Sequence, residues 1–334
     1  MKTNTSIPTI IPVASGKGGV GKSLITANLA IAIANSGHST VAIDLDLGNS
    51  NLHSFLGLSN SIPGVGDFLR SKAESLEKLK YATEIPFLSY IAGDGRMPLV
   101  ANITYHQKQK IIKEIKKLDA EYILLDLGAG SHNDILDLFG IADRGIIITT
   151  PEHPAVLSML AFLKNFILRV LDRLVKEDLE IISVLQEIYK QPTDGPQRTM
   201  EVYRNKIAQI NPEIASKFDN ICGLIRPRFI YNMGEDPNDL DILPRIDNTL
   251  KKVFSIEGDH LGFVFKDPDV RTSIRAGEPL LLHSPQCNAV RSIKQIANRI
   301  IKAWDVGILD SAGRLKDHTI KMVMEGKIVP LTVK

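Results

Sequence analysis

A glycine-rich segment near the N-terminus has the residue types and the spacing that bind phosphate. Residues 15–23 read SGKGGVGKS and contain the complete GxxxxGK[ST] pattern. Glycines at these positions let backbone N–H groups turn toward phosphate oxygens without a clash of Cβ atoms. Lys22 would reach the β- and γ-phosphates, and the Ser23 hydroxyl would ligate Mg²⁺. The expected nucleotide-binding residues of this loop are Gly16, Gly18, Gly19, Val20, Gly21, Lys22, Ser23 and Leu24.

The same loop carries a second lysine that the phosphate-binding pattern does not require. Lys17 directly follows the first glycine of the loop. A loop that holds phosphates through its backbone N–H groups gains little from another long cation at that position. Lys17 therefore indicates a further role that the loop alone does not reveal.

Carboxylates stand at the ends of two predicted strands, where a magnesium–triphosphate site needs them. Asp44 and Asp46 end the apolar run TVAIDLD, and Asp126 ends YILLD. If these strands lie beside the strand that leads into the loop, the three side chains converge at one edge of a parallel sheet. Such carboxylates hold the metal shell and orient water. The predicted metal ligands are Ser23, Asp44, Asp46 and Asp126.

Short apolar runs alternate with helical patterns through the first two thirds of the chain, as in βαβ units. We predict strands over 7–14, 40–46, 87–94, 122–130 and 144–152, with two more at RFIYN and HLGFVF. We predict helices over 23–36, 107–118 and 288–304. The expected fold class is α/β, a doubly wound and mostly parallel sheet of the P-loop NTPase type.

Two regions depart from this alternation. The stretch of about 165–222 is mostly helical, with a break at QPTDGPQ, and is interpreted as a helical insertion into a P-loop ATPase domain that spans 1–305. Residues 306–334 form a C-terminal tail in this interpretation, and its Gly326 and Pro330 interrupt any long apolar stripe. Reversible binding of the tail to a membrane surface stays possible, but a packed or frayed terminus is the simpler interpretation.

Composition gives no sign of a nucleic-acid, secreted or membrane-spanning protein. The 334 residues carry a formal net charge of +2, and the two cysteines, Cys222 and Cys287, form neither a CxxC motif nor a zinc pattern. The lysine-rich stretch 107–118 is interpreted as a solvated helix face, so nucleic acid is an unlikely partner. No signal peptide and no uninterrupted apolar run near 18 residues is found, so we expect a cytoplasmic protein without a spanning helix.

The loop resembles that of the MinD/ParA family, the deviant Walker A ATPases of the SIMIBI class, whose loop reads KGGxGK[ST]. Residues 17–23 follow this pattern without departure. The resemblance implies ATP and Mg²⁺ as cofactors and an ATP-dependent homodimer in which Lys17 reaches the phosphates held by the other subunit. A cation delivered in this way neutralises the charge of phosphoryl transfer, as an arginine finger does.

Further segments are similar to the FlhG (FleN) branch of this family, which regulates flagellar number. Residues 44–58 resemble its switch I, and residues 124–156 resemble its switch II and the following strand. The resemblance gives Asp46 the role of orienting the attacking water and Asp44 that of supporting the metal site. It also gives Asp126 and Gly130 the role of sensing water and γ-phosphate. The expected adenine contacts are Asn232 and the loop from Lys266 to Asp269, which includes Asp267.

The resemblance implies a slowly hydrolysing ATP switch that controls the placement or number of a flagellum, a septum or a polar cargo through a partner protein. Its catalytic residues would be Lys17, Asp46 and Asp126. Two alternatives stay open at this point. One is a metabolic enzyme on the same core, such as a ligase or a reductase related to nitrogenase iron protein, and the other is a nucleotide-binding regulator that does not hydrolyse ATP.

Overall fold

The computed structural model describes residues 7–93, 103–189 and 199–330, and these form one eight-stranded sheet with helices on both faces. The strand order is β3-β4-β2-β5-β1-β6-β7-β8. Every pairing is parallel except that of β3 with β4 at one edge. The strands are β1 (Thr9–Ser15), β2 (Thr40–Leu45), β3 (Tyr81–Ala82), β4 (Leu88–Ile91), β5 (Tyr122–Ala129), β6 (Ile146–Thr149), β7 (Arg228–Gly234) and β8 (Asp259–Phe265). The expected α/β fold class with a doubly wound, mostly parallel sheet is confirmed.

Fourteen α-helices connect or cover these strands in the described part of the chain. They are α1 (Lys22–Asn35), α2 (Leu52–Phe55), α3 (Val65–Leu69), α4 (Tyr105–Ile115), α5 (Asn133–Phe139), α6 (His153–Leu174), α7 (Leu179–Tyr189), α8 (Met200–Ile210), α9 (Pro212–Leu224), α10 (Leu243–Thr249), α11 (Pro268–Ala276), α12 (Leu280–His283), α13 (Asn288–Ala303) and α14 (Ser311–Met324). The strand and helix bounds lie within a few residues of those predicted from the sequence.

Two apolar cores lie on opposite faces of the sheet. Alternate side chains of β5 point to opposite faces, so Leu124 packs in the core with α1 and α13, while Leu125 packs in the core with α4, α5 and α6. Both faces are covered, which explains why the central strands read as continuous apolar runs rather than alternating ones. The order of β5, β1 and β6 puts the loop after β1 in the middle of the sheet's carboxyl edge.

Helix α6 bears on the expectation that the chain has no membrane-spanning helix. By length and composition α6 could cross a membrane, although no single uninterrupted apolar run marks it. In the structure its Met159, Leu163 and Ile167 are fully buried against the sheet and the following helices. The apolarity of α6 is therefore that of a core helix.

The predicted insertion begins within α6 and continues through α7, α8 and α9, and no strand lies in its described residues. Tyr203, Ile207 and Phe218 from these helices are buried in the same core as α6. The predicted break at QPTDGPQ lies outside the described residues. The division at 165–222 and 305 stays a prediction.

Residues beyond 305 include a helix that covers an edge of the sheet. α14 packs beside the edge strand β8, with Leu315 and Met322 in the core. The hydroxyl of Ser311 accepts a hydrogen bond from the backbone N–H of His260, a group on the strand's open side (3.0 Å). Side-chain partners of this kind protect an edge strand from pairing with another chain.

Candidate functional site

The loop after β1 has the backbone shape of a phosphate cradle. Gly19 and Gly21 have φ angles of +82° and +84°, in the left-handed region that favours glycine. A Cβ on Gly16 would lie 2.1 Å from the carbonyl oxygen of Ser158 on α6, so only glycine fits there. A Cβ on Gly18 or Gly19 would meet open space. The loop is thus tightly packed beneath and open above, as a site for phosphate groups requires.

Asp126 joins the loop to the neighbouring strand β5 through three side chains of α1. Lys22 Nζ donates to Asp126 Oδ1 over 2.8 Å, and Ser23 Oγ donates to Asp126 Oδ2 over 2.6 Å. Thr26 Oγ1 lies 3.1 Å from Asp126 Oδ1 and also bonds the carbonyl of Lys22. Lys22 is 7% exposed and Asp126 is fully buried, so the pair is largely shielded from water. Thr26 was not among the predicted residues, although its position one helical turn after Lys22 could have indicated it.

Asp44 lies opposite Asp126 in the sheet register, at the end of β2. Its Oδ1 accepts the N–H of Asp46 and its Oδ2 accepts the N–H of Leu52, both at 3.1 Å. Burial and, to a lesser extent, the nearby charge of Asp126 together raise the pKa of Asp44 to about 8, against the lowering effect of these hydrogen bonds and of the charge of Lys22. Asp44 therefore holds the loop that follows β2, and its predicted part in the metal site stays a prediction.

Asp46 and Gly130 lie around the open side of the same edge. Asp46 is partly exposed and follows Asp44 at the end of β2. Its Oδ1 lies 3.4 Å from the position of a Cβ built on Gly128 of β5, so β2 and β5 bring Asp46 close to the segment that leads to Gly130. Gly130 has a φ angle of +86°, and its N–H bonds the carbonyl of Ser15 at the start of the loop (3.0 Å). The two predicted switch segments are thus in contact with each other and with the phosphate loop.

Lys17 differs from Lys22 in its surroundings. Its side chain is exposed, and it forms no ion pair or hydrogen bond with any residue that the structure describes. The buried Lys22 is already paired with Asp126. Lys17 is therefore a free cation at the mouth of the loop with respect to the described part of the chain.

Asn232 lies against the phosphate loop. Its Nδ2 donates to the carbonyl of Val20 over 2.8 Å, and the residue is 3% exposed. A Cβ on Gly21 would lie 2.3 Å from the same nitrogen, so Asn232 can occupy this position only when residue 21 is glycine. Asn232 thus supports the loop from β7, and its predicted contact with adenine stays untested.

Asp267 caps two helices. Its Oδ1 accepts from the N–H of Asp269 at the start of α11 (3.0 Å), and its Oδ2 accepts from the N–H of Asn288 at the start of α13 (2.8 Å). The sulfur of Cys287 lies near the carboxylates of Asp267 and Asp269. The two helix caps formed by Asp267 explain why these three side chains lie together. The position of Asp267 after the end of β8 is thus fixed by helix capping, and its predicted contact with the adenine base stays untested.

Asn28 is a connecting residue that the sequence did not single out. Its Nδ2 donates to the carbonyl of Leu24, and its Oδ1 accepts from the N–H of Leu281 on α12 (2.9 Å). The buried amide thereby fixes α1, which carries the phosphate loop, to the C-terminal part of the chain. No local pattern signals such a contact, because the partners are more than 250 residues apart in sequence.

The side chains and backbone groups around the loop fit a nucleoside triphosphate with Mg²⁺. The hydroxyl of Ser23 and the carboxylates of Asp126 and Asp46 would supply the oxygen ligands that Mg²⁺ prefers, and their role as metal ligands stays a prediction. The open loop above Gly18 and Gly19, at the N-terminus of α1, suits phosphate oxygens. When bound, the metal would neutralise charge on the phosphates, and Lys22 would exchange its contact with Asp126 for the phosphates.

Comparison with known proteins agrees with this geometry. The profile of a family described as "ParA: NUBPL iron-transfer P-loop NTPase" matches residues 6–209, more than half of the chain. The septum site-determining protein MinD of Helicobacter pylori is 36% identical over 144 residues, which cover 43% of this chain and 53% of that protein. MinD of Thermotoga maritima is 34% identical over 161 residues, covering 47% and 59%. The chain thus spans about half the length of the curated relatives it matches.

Solved structures show the same fold over a longer stretch. MinD of Pyrococcus horikoshii, determined as a complex with Mg-ADP, superposes with a TM-score of 0.56 at 20% identity and covers 89% of this chain and 97% of that one. The MinC:MinD cell division protein complex of Aquifex aeolicus gives a TM-score of 0.57 at 20% identity, covering 91% and 99%. With the phosphate loop, the carboxylates at the strand ends and the family match over residues 6–209, the chain belongs to the ParA/MinD family of P-loop NTPases.

Proposed function

We propose that this protein binds and slowly hydrolyses ATP with Mg²⁺, and that it forms a homodimer only when ATP is bound. The contact of Lys22 and Ser23 with the buried Asp126 carries the proposal, because it links the phosphate loop to the strand that leads into switch II. A γ-phosphate that displaces Lys22 from Asp126 would change the charge at the start of that segment. ATP and ADP would then favour different arrangements of residues 126–130.

The exposed Lys17 supports the dimer. Its ammonium has no partner among the described residues, and it projects from a loop whose own phosphate contacts are supplied by Lys22 and backbone N–H groups. A second subunit facing this edge would place Lys17 near the phosphates of its neighbour. Asp46, at the partly exposed end of β2, would orient the attacking water.

The cysteines disfavour an iron–sulfur alternative within this family. Burial raises the pKa of the Cys222 thiol to about 12 and that of the Cys287 thiol to about 11. Iron–sulfur ligation usually needs four thiolates, which a homodimer could supply only if the two cysteines of each subunit lay together on one surface. In this chain Cys222 is buried on α9, whereas Cys287 directly precedes α13. A regulator that binds ATP without hydrolysis stays an alternative that the experiment below separates.

The names of the relatives indicate only a general class of cellular role for this protein. The similar proteins of Helicobacter pylori and Thermotoga maritima are named for septum placement. We propose a role in placing a cellular structure, such as a septum, a flagellum or a polar cargo, in the cytoplasm and through a partner that recognises the ATP-bound dimer. We also propose that the protein belongs to the FlhG branch and that it associates reversibly with a membrane surface.

Light scattering with and without Mg²⁺-ATP tests the switch. We expect Asp46→Ala protein, in which hydrolysis is slowed, to double its molar mass with ATP and to remain a monomer with ADP. Adding Lys17→Ala should prevent the doubling, whereas Lys116→Ala, which removes another exposed lysine just after α4, should not. A mass that ignores ATP, or that doubles equally without Lys17, would contradict the dimer. Phosphate release by the wild-type protein distinguishes an ATPase from a regulator that only binds.

A further inference from the structure

A cavity of about 520 Å³ lies beside the edge strand β8, between α13 and α14. Much of its wall is apolar and includes Val306, Leu309 and Leu315. Val306 is 64% exposed and Leu309 is 80% exposed, so the apolar wall continues to the surface at the mouth. A volume of this size accommodates a small organic ligand.

The polar part of the wall is basic. Arg299, Arg314 and His318 line the cavity, and none of the described residues that line it is an aspartate or a glutamate. Arg299 Nη1 donates to the carbonyl of Leu261 over 2.7 Å. No carboxylate of the described chain lies within ion-pair distance of Arg299 or Arg314. The cavity therefore presents positive charge that the protein itself does not neutralise.

Partial burial affects the protonation of Arg299 and His318. It lowers the pKa of Arg299, with no acidic neighbour to offset it. Burial also lowers the pKa of His318, and the charges of Arg299, Lys321 and Lys327 lower it further against the opposite effect of Glu325. Arg299 is partly buried without a counter-ion, and an anion in the cavity would offset the cost of desolvating its charge.

His260 also lines the cavity, but it is not available to bind an anion. His260 Nδ1 lies 2.8 Å from the hydroxyl of Tyr231, and its Nε2 lies 2.9 Å from Asp247 Oδ1. Both ring nitrogens are therefore engaged within the fold. The Nε2 atom of His318 lies 2.9 Å from Gln295 Oε1, and its lowered pKa favours the neutral ring. The available positive groups are therefore Arg299 and Arg314.

This cavity is separate from the nucleotide site. The cavity adjoins the start of β8. Strand β8 pairs in parallel with β7, β7 with β6, and β6 with β1, so β8 and β1 run in the same direction. The phosphate loop follows the end of β1, so the two sites lie at opposite edges of the sheet.

From these contacts we propose that the cavity between α13 and α14 binds a small amphipathic anion, with a carboxylate or phosphate head and a short apolar chain. Arg299 and Arg314 bind the head. Val306, Leu309 and Leu315 contact the chain. Both halves of the ligand are needed, because the wall combines apolar surface with positive charge that has no counter-ion.

Calorimetric titration with four ten-carbon probes tests this site on the full chain. Decanoate and decyl phosphate carry the two candidate heads, decanol lacks charge, and decyltrimethylammonium reverses it. We expect saturable binding of one or both anions at one site per chain, and at least about tenfold weaker binding of decanol and of the cation. The preferred head distinguishes a carboxylate ligand from a phosphate ligand.

Matched variants identify the residues. Arg299→Gln and Arg314→Gln should each weaken anion binding by about tenfold. Lys302→Gln, which removes an exposed charge from the same helix as Arg299 but outside the cavity, should leave affinity within about twofold. Because Arg314 is exposed, its variant keeps the test valid if Arg299→Gln does not fold. The proposal is overturned if decanol binds as well as the anions, or if Lys302→Gln and Arg314→Gln have equal effects. It is equally overturned if no probe binds, and a protein partner would then be the better occupant.

Discussion

Lys22 Nζ lies 2.8 Å from Asp126 Oδ1, which joins the phosphate loop to the centre of the sheet across 104 residues of sequence. Both side chains are buried, so each supplies the counter-charge that the other needs. The pair therefore has two roles. It stabilises the fold without nucleotide, and it is the contact that phosphate oxygens would replace.

Replacement of one partner of this pair should destabilise the nucleotide-free protein. Lys22→Met leaves the carboxylate of Asp126 buried with only hydroxyl donors, and we expect the free energy of unfolding to fall by about 3 kcal/mol. Urea unfolding without nucleotide measures this loss. In Lys22→Met/Asp126→Asn protein much of the loss should be recovered, because no uncompensated charge remains. If the double variant loses the sum of both single effects, the pair is not coupled.

The contact of Asn232 with Val20 should govern phosphate binding directly. We expect Asn232→Ala to weaken the binding of pyrophosphate by about fivefold to tenfold, since the loop loses a hydrogen bond that holds its shape. Titration with pyrophosphate and with ADP checks this, with the exposed Asn238→Ala as the control. A larger loss for ADP than for pyrophosphate would reveal the adenine contact that the sequence predicts. Unchanged pyrophosphate affinity would show that the loop keeps its shape without Asn232.

Acid should destabilise the protein through Asp137. This buried carboxylate on α5 forms ion pairs with Lys108 of α4 and with Arg169 and Arg173 of α6. Burial alone would raise the pKa of Asp137, but the hydrogen bonds from Arg169 and Lys108 and the charge of Arg173 outweigh it and hold the pKa below its usual value. A lowered pKa contributes stability that is fully present above the unfolded value of about 3.9 and is lost as pH falls through the native value.

Asp137→Asn makes this contribution measurable. We expect a loss of about 3 kcal/mol in the free energy of unfolding at neutral pH, because three cations lose a common partner. The gap between variant and wild type should narrow as pH falls below about 4. Asp143→Asn, at an exposed carboxylate without an ion pair to the described residues, should show neither effect. A gap that stays constant into acid would assign the loss to packing rather than to charge.

Both thiols should react slowly in the folded protein. Because burial raises the pKa of Cys222 and Cys287, only a small fraction of each is thiolate at neutral pH. We expect alkylation by iodoacetamide to be at least about tenfold slower in the native protein than in urea, as followed by mass spectrometry. Rapid labelling of either cysteine in the native protein would show an accessible thiolate, and the iron–sulfur alternative would then have to be reconsidered.

Much of the site could be predicted because its parts are local. The glycine loop, the strand before it and the helix after it lie within about thirty residues, and a parallel sheet brings Asp44 and Asp126 to one edge. The lysine-rich α4 shows where local reasoning stops. Its pattern predicts a solvated face, yet Lys108 is 4% exposed and paired with Asp137 on α5. A charged residue on a helix gives no local sign of a partner on another element.

The sequence by itself determined the fold class, the phosphate loop and the carboxylates at the strand ends, because apolar periodicity and glycine spacing act over short distances. Only the tertiary structure decided which distant groups meet. It placed Asn232 on Val20, joined Asn28 to Leu281, and packed α14 against β8 to form a basic cavity. These contacts depend on how whole layers pack, and a side chain acquires such a partner only when the layers are in place.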